Sequence, residues 1–159
     1  GELIERSPRG AQILVNVFDR YVHPNPAVGE MLRAKRGPVL VSARQEARNG
    51  RKLILLSLDI AAGWHVNSHR PLDRSLISTV VKACGKSVQL GRQSYPKGKR
   101  FKLGFSQDLL DVYTGKVSIP IMVVSGKTGA FVDVRITFQA CDDRACLAPE
   151  NALLRVRLR

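Results

Sequence analysis

Two of the three cysteines in this 159-residue chain, Cys141 and Cys146, are separated by only four residues. Three of those four residues are charged, which predicts an exposed loop. A disulfide here would close a small loop, and in the chain-entropy model such a loop stabilises a fold by only about 2 kcal/mol. The bond could therefore be reduced and re-formed without unfolding the domain. The pair indicates thiol-disulfide exchange, in which a partner thiol attacks one sulfur and the other sulfur resolves the mixed disulfide.

Three other interpretations of the pair stay open. A zinc site normally takes four ligands in closely spaced pairs, whereas this pair has unusual spacing and only distant histidines. A purely structural disulfide is disfavoured by the small size of the loop. Two reduced core cysteines are disfavoured by the charges between them. We therefore predict a redox pair without a bound metal or cofactor.

The charged residues of the loop act on the thiols in opposite directions. Arg144 favours a neighbouring thiolate, whereas Asp142 and Asp143 disfavour it. The third cysteine, Cys84, stands alone before Gly85, and we expect it to be a small buried hydrophobic residue rather than a third redox residue.

A second stretch with chemical potential runs from Ala61 to Pro71. It contains the only tryptophan, Trp64, and two of the three histidines, His65 and His69. On the residues alone, packing at one end of the fold is the favoured role for Trp64 and His65. His65 would assist proton transfer if this stretch lay against the cysteine loop.

In the segments that must hold these residues, apolar side chains recur at every second position. Apolar residues occupy every second position from Val132 to Ala140 and again from Ala152 to Leu158, so the cysteine loop joins two half-buried strands. Upstream, a strand ending near Arg48 meets the run from Lys52 to Ile60 through Asn49-Gly50, a pair typical of a type I′ hairpin.

Further strands are predicted in the middle of the chain. They run from Leu76 to Ala83, from Lys86 to Leu90 and from Val117 to Val123. Pro120 lies within the last of these and predicts an edge position or a bulge, because proline cannot donate to the ladder. Seven or eight short strands separated by turns indicate an all-β, immunoglobulin-like antiparallel β-sandwich.

The N-terminal part of the chain differs from the rest. Asn25 as N-cap, Pro26 at the first helical position and the Gly37-Pro38 pair predict one short helix over 26–36. We therefore expect residues 1–37 to be an extension or linker, and residues 38–159 to form the β-sandwich domain. No apolar run has the length needed to cross a bilayer, and the first residues lack the apolar core of a signal peptide.

The formal net charge is +13, from 26 Lys and Arg against 13 Asp and Glu. Such a charge favours nucleic acid, anionic lipid or an acidic partner. The basic residues are scattered and aromatic residues are few, so we expect no nucleic-acid binding and favour a solvated surface. An anionic membrane surface is a further candidate partner. The alternative function is a non-catalytic binding module with a structural disulfide and a basic docking face.

Several motifs together resemble the N-terminal domain of the bacterial disulfide reductase DsbD, over about residues 38–158. The cysteine loop and the Gly-Trp-His-Val-Asn stretch are the most specific of them. The motifs are Gly63-Trp64-His65-Val66-Asn67, Tyr95-Pro96, Val112-Tyr113-Thr114-Gly115, Phe138-Gln139-Ala140-Cys141 and Cys146-Leu147-Ala148-Pro149.

The resemblance implies a periplasmic or otherwise extracytoplasmic immunoglobulin-like domain of a larger membrane-anchored protein. Its implied partners are thioredoxin-like redox proteins, a membrane-embedded electron donor and exported acceptor proteins. By the same resemblance, Cys146 forms the mixed disulfide with partners and Cys141 resolves it. A cap loop at 103–110 is implied to shield the pair, with Phe105 as its lid residue.

The remaining residues expected to line the site are Trp64, His65, Asn67, Asp142 and Asp143. The chain also departs from the family pattern. It has Lys102-Leu103-Gly104 where well-known members carry an acidic pair before the cap phenylalanine, and Ala148 where a second proline is usual. The missing acidic pair bears on the carboxylate tuning of the thiols that the family pattern implies. The strong positive charge and the extension over 1–37 have no counterpart in that pattern and favour a different set of partners.

Overall fold

The computed structural model describes residues 32–102 and 108–159. In these ranges the chain forms twelve strands, all paired antiparallel, and no helix that could cross a membrane. The strands are β1 (Leu32–Arg36), β2 (Val39–Arg48), β3 (Arg51–Ile60), β4 (His65–Asn67), β5 (Val80–Cys84), β6 (Val88–Gln93), β7 (Lys99–Lys102), β8 (Leu109–Tyr113), β9 (Lys116–Gly126), β10 (Phe131–Phe138), β11 (Ala140–Cys141) and β12 (Glu150–Arg157).

The strands are arranged in three sheets, with orders β1-β2-β3-β9-β6, β12-β10-β5 and β11-β4-β8-β7. The core lies between the first two sheets. Alternate residues of β3, such as Leu56 and Leu58, share one buried cluster with alternate residues of β10, such as Val134 and Ile136. The predicted all-β, immunoglobulin-like sandwich is therefore confirmed. The buried and the exposed face of each sheet follow from the period-two pattern of its strands.

The predicted hairpin between β2 and β3 is also confirmed. Asn49 and Gly50 have φ angles of 52° and 76°, which is the left-handed backbone that a type I′ turn needs at both central residues. The pairing runs without a break from Arg48 opposite Arg51 to Val39 opposite Ile60.

Pro120 lies in an internal strand, since β9 pairs with β3 on one side and with β6 on the other. The predicted edge position is therefore wrong, and the other prediction, a bulge or similar irregularity in the ladder, applies. The register between β6 and β9 shifts between Leu90 and Gln93, next to the proline. The N–H of Ser94 donates to the carbonyl of Pro120 at 2.9 Å. The missing N–H of proline is thus accommodated where the ladder is already interrupted.

The helix predicted over 26–36 is wrong for residues 32–36, which form β1 and pair with β2 from Leu32 opposite Ala43 to Arg36 opposite Val39. Gly37, with φ 56°, belongs to the turn between these two strands, so the residue interpreted as a helix stop is a hairpin turn. Leu32 and Ala34 pack against the core, and this packing overrides the local helix pattern. The rest of the predicted helix, 26–31, lies outside the described residues.

The outward face of the three-stranded sheet is basic. We call Lys82, Arg135, Arg155 and Arg157 the outer basic face; all four are exposed and alternate with buried residues of β5, β10 and β12. Arg155 donates to both carboxylate oxygens of Asp133, at 2.7 and 3.0 Å. Part of the positive charge of the chain therefore lies on the outward side of this sheet.

Candidate redox site

Cys141 and Cys146 form a disulfide at the end of the three-stranded sheet. Their Cα atoms are 4.0 Å apart. The pairing of β10 with β12 ends where Phe138 meets Glu150, and the chain between them carries both cysteines. The two half-buried strands therefore present the disulfide on a short loop that they anchor at both ends.

Asp142 organises the loop. Its Oδ1 accepts hydrogen bonds from the N–H groups of Arg144 and Ala145, each at 2.8 Å, and its own N–H donates to the carbonyl of Ala145 at 2.9 Å. Such side-chain-to-backbone bonds are typical of aspartate in tight turns. The two N–H donors lower the pKa of Asp142 below its usual value, so its carboxylate is ionised at neutral pH. Asp143 is exposed.

The two sulfur-bearing residues differ in exposure. Cys141 is 5% exposed, whereas Cys146 is exposed and is followed by Leu147, which is 41% exposed. Nucleophilic attack on a disulfide requires access to the attacked sulfur. Cys146 is therefore the more exposed residue of the pair and lies next to an exposed apolar side chain, whereas Cys141 is buried.

The Gly-Trp-His-Val-Asn stretch lies against the cysteine loop, as the proton-transfer hypothesis for His65 requires. Strand β4 pairs with β11 so that His65 is directly opposite Cys141 and Val66 is opposite Ala140. His65 is only 3% exposed. Burial lowers the pKa of His65, and the negative charge of Asp142 opposes part of this shift.

Trp64 and Asn67 attach the Gly-Trp-His-Val-Asn stretch to the rest of the fold. Trp64 is partly buried and packs against the core. The side-chain amide of Asn67 donates to the carbonyl of Ile77 at 2.9 Å, and the hydroxyl of Thr79 donates to the carbonyl of Asn67 at 2.6 Å. These hydrogen bonds connect β4 to the segment before β5, so Asn67 has a structural role in the site.

A buried polar cluster fixes the other side of β4. The hydroxyl of Tyr113 donates to the carbonyl of Pro96 at 2.8 Å and accepts the N–H of His69 at 3.2 Å. The rings of His69 and Tyr95 are stacked, with centroids 3.5 Å apart. Burial raises the pKa of Tyr113, so its hydroxyl remains a donor at neutral pH. The Tyr95-Pro96 and Val112-Tyr113-Thr114-Gly115 motifs thus meet on the side of β4 that faces away from the cysteine loop.

Phe101, on β7, is a site residue that the sequence did not indicate. Its ring centroid lies 5.1 Å from that of His65, with the two planes tilted by 43°. Strand β7 has four residues, all exposed, which is too short for period-two alternation to be recognised. Phe105, the predicted lid residue, lies outside the described residues.

Cys84 is exposed, so the prediction that it is a buried hydrophobic residue is wrong. It lies opposite Asp133 in the pairing of β5 with β10, on the outward side of the sheet. Val81 is buried and Lys82 is exposed, so the alternation of the strand places Cys84 on the same outward side as Lys82.

The described residues contain no group of three or more side chains that could hold a metal ion.

Comparison with known proteins gives one family match. Residues 38–158 match the family model for the N-terminal domain of the thiol:disulfide interchange protein DsbD. No curated protein sequence matches the chain significantly.

Two solved structures are similar to the chain. The N-terminal periplasmic domain of ScsB from Proteus mirabilis has a TM-score of 0.60 and 17% identity, over 82% of this chain and 51% of that chain. The reduced N-terminal domain of DsbD from Neisseria meningitidis has a TM-score of 0.50 and 16% identity, over 74% of this chain and 83% of that chain. The chain thus spans about half the length of the ScsB chain. At these identities the similarity shows a shared fold.

Proposed function

The chain belongs to the family of DsbD N-terminal domains, which carry out thiol-disulfide interchange, and we propose that it is a protein-disulfide reductase domain in which Cys146 attacks and Cys141 resolves. The observation that carries this proposal is the difference in exposure between the two cysteines. Only an accessible sulfur can form a mixed disulfide with another protein, and only a second sulfur held beside it can release that protein.

Each turnover moves two electrons. The Cys146 thiolate attacks one sulfur of the acceptor's disulfide, and the acceptor's other sulfur leaves as a thiolate. The Cys141 thiolate then attacks Cys146, forms the internal disulfide and expels the acceptor's attached sulfur as a second thiolate. The acceptor leaves as a dithiol after taking up two protons. A donor dithiol restores the domain by the reverse sequence.

The proposal includes the partners and the compartment. The domain receives electrons from a membrane-embedded donor through a thioredoxin-like protein and passes them to exported acceptor proteins. We place it in the periplasm or another extracytoplasmic compartment, within a larger membrane-anchored protein. Two observations support this placement: a disulfide persists best in an oxidising compartment, and the similar ScsB domain is described as periplasmic.

A third element of the proposal is contact with an anionic membrane surface through the outer basic face. Its four cations, of which Arg155 is paired with Asp133, lie on the outward side of the three-stranded sheet. Phe131 and Leu153, which are 48% and 41% exposed, lie on the same side. Basic side chains near an anionic bilayer contribute about 1 kcal/mol each to binding.

The role of the cysteines is tested by trapping, with Cys84 replaced by serine so that the exposed third thiol does not react. Cys141→Ala should accumulate more mixed disulfide with a thioredoxin-like protein than the parent does, because Cys146 can attack and the internal resolving thiol is missing. Cys146→Ala should form none while keeping the β-sheet circular dichroism of the parent. Full exchange by Cys146→Ala would overturn the proposal.

A second measurement separates a redox pair from the structural disulfide of a binding module. The reduction potential of the Cys141–Cys146 pair is obtained by equilibration with glutathione or dithiothreitol buffers. A value above about −300 mV agrees with the reductase role, whereas structural disulfides typically lie below that value.

A further inference from the structure

His65 is placed to act on Cys141. Residues directly opposite each other in an antiparallel pair point to the same side of the sheet, with Cβ atoms about 4.5 to 5.5 Å apart. The pairing of β4 with β11 puts His65 in this relation to Cys141. Both residues are buried, at 3% and 5% exposure.

Cys141 has a chemical need that Cys146 lacks. Its thiol must lose a proton before it can attack the mixed disulfide, because the thiolate is the nucleophile. Burial disfavours the charged thiolate and keeps water away from the leaving proton. An exposed thiol can give its proton to solvent, whereas a covered thiol needs an acceptor beside it.

The surroundings of His65 make it such an acceptor. Burial holds its imidazole in the neutral form, which has a free nitrogen to take up a proton. The carboxylate of Asp142, from the cysteine loop, stabilises the imidazolium that would result. Strand β7 contributes the uncharged ring of Phe101, whereas Tyr113 of β8 is opposite Val66 and therefore lies on the other side of β4 from His65.

We propose that His65 accepts the proton of the Cys141 thiol, so that Cys141 attacks Cys146 as a thiolate and releases the bound partner. The S–H bond of Cys141 breaks and an N–H bond forms on His65. The Cys141–Cys146 bond then forms as the partner's sulfur leaves. In the reductive direction, the imidazolium returns the proton to Cys141 when the internal disulfide opens. This inference rests on the proposed function and adds a proton-transfer residue to it.

The test uses the reduced full chain carrying Cys84→Ser, with the aromatic disulfide 5,5′-dithiobis(2-nitrobenzoate) as probe. Attack by Cys146 releases one coloured thiolate, and resolution by Cys141 releases the second. The second phase therefore reports the step assigned to His65, and the first phase reports the reactivity of Cys146.

His65→Gln should slow the second phase by about 100-fold at neutral pH, the low end of the range for general-base catalysis. The deficit should shrink above about pH 9, where thiols ionise without help. His69→Gln, which replaces a histidine of the same stretch that is stacked on Tyr95, is the matched control and should keep both phases. An unchanged second phase in His65→Gln, or a deficit that is equal at every pH, would overturn the inference.

Asp142→Asn provides a second variant on the loop, in case His65→Gln fails to fold. The asparagine oxygen can still accept the two turn hydrogen bonds, but the charge is removed. If the carboxylate acts through His65, the second phase becomes slower. If it acts directly on the thiolates, losing a negative charge makes the phase faster, which contradicts the inference. A missing first phase in the folded parent would overturn the proposed function itself, whereas a normal first phase isolates the role of His65.

Discussion

The ring of Phe101 covers the imidazole of His65, with centroids 5.1 Å apart. Phe101 belongs to β7, which pairs with β8, and β8 in turn pairs with the strand that carries His65. The aromatic ring therefore reaches across an intervening strand to contact the residue opposite Cys141. Burial lowers the pKa of His65, and we expect this contact to contribute to that burial.

Replacing Phe101 by alanine should raise the pKa of His65 toward its ordinary value of 6.5, because the imidazole loses part of its desolvation. The pKa is measured from the chemical shift of the imidazole protons across a pH titration by NMR. Leu109→Ala removes an exposed apolar side chain from the neighbouring strand and is the control. A His65 pKa that stays equally low in Phe101→Ala would show that other groups desolvate the ring.

The reduced domain should be alkylated faster at Cys146 than at Cys141. Cys146 is exposed and Cys141 is covered, and reaction with iodoacetamide requires access to the thiolate. The rates are read by mass spectrometry of peptides in a Cys84→Ser background under native conditions. In denaturant the two rates should become similar, since the difference comes from the fold. Faster native alkylation of Cys141 would reverse the proposed roles.

Reduction of the disulfide should lower the free energy of unfolding by only about 2 kcal/mol, because the closed loop is short. Urea unfolding of the oxidised and reduced protein measures the difference, and Cys84→Ser serves as the background. The fold should remain cooperative after reduction, since the buried cluster between the two sheets does not include the disulfide. Loss of cooperative unfolding on reduction would identify the disulfide as structural.

The strands around the site could be predicted because their alternation is long and regular. The run from Val132 to Ala140 includes all of β10 except its first residue, Phe131, and Asn49-Gly50 forms the predicted turn. Residues 32–36 were not predictable as a strand, because a Gly37-Pro38 pair is equally compatible with the end of a helix and with a hairpin turn. Only the packing of these residues against the rest of the fold selects the strand. Cys84 was misjudged because a strand of five residues leaves its outward side uncertain.

The site itself was predictable in part. The cysteine loop and the histidine stretch stand out by residue type, and the structure brings them together through β4 and β11. The exposure of Cys146 and the register that places His65 opposite Cys141 depend on long-range pairing, which spacing along the chain does not encode. Phe101 was missed for the same reason, since it meets His65 across a strand.

The outer basic face should bind vesicles that contain phosphatidylglycerol and not vesicles of phosphatidylcholine alone. Replacing Arg135 or Arg157 by glutamate should weaken binding by at least about fivefold per residue, which corresponds to about 1 kcal/mol. Binding is measured by co-sedimentation at low and high salt, since screening should weaken it. Arg51→Glu, at the exposed hairpin between β2 and β3, is the control. Equal losses for all three variants would indicate that net charge acts without a preferred face.

The buried imidazole of His65 should make the fold less stable in mild acid. Its pKa is lowered in the folded protein, so the unfolded chain binds a proton first as the pH falls below about 6.5. The free energy of unfolding should therefore be constant above that pH and decrease as the pH falls toward the lower folded pKa of His65.

Urea unfolding between pH 8 and pH 5 measures this dependence at pH values above the ordinary pKa of carboxylates. His65→Phe should flatten the curve because it removes the titrating group while keeping an aromatic ring against Phe101. His69→Gln should retain the slope, since His65 is still present. If the free energy of unfolding of His65→Phe depends on pH as steeply as that of the parent, another group causes the acid sensitivity. Protonation of His65 would then not be coupled to folding, contrary to what its burial implies.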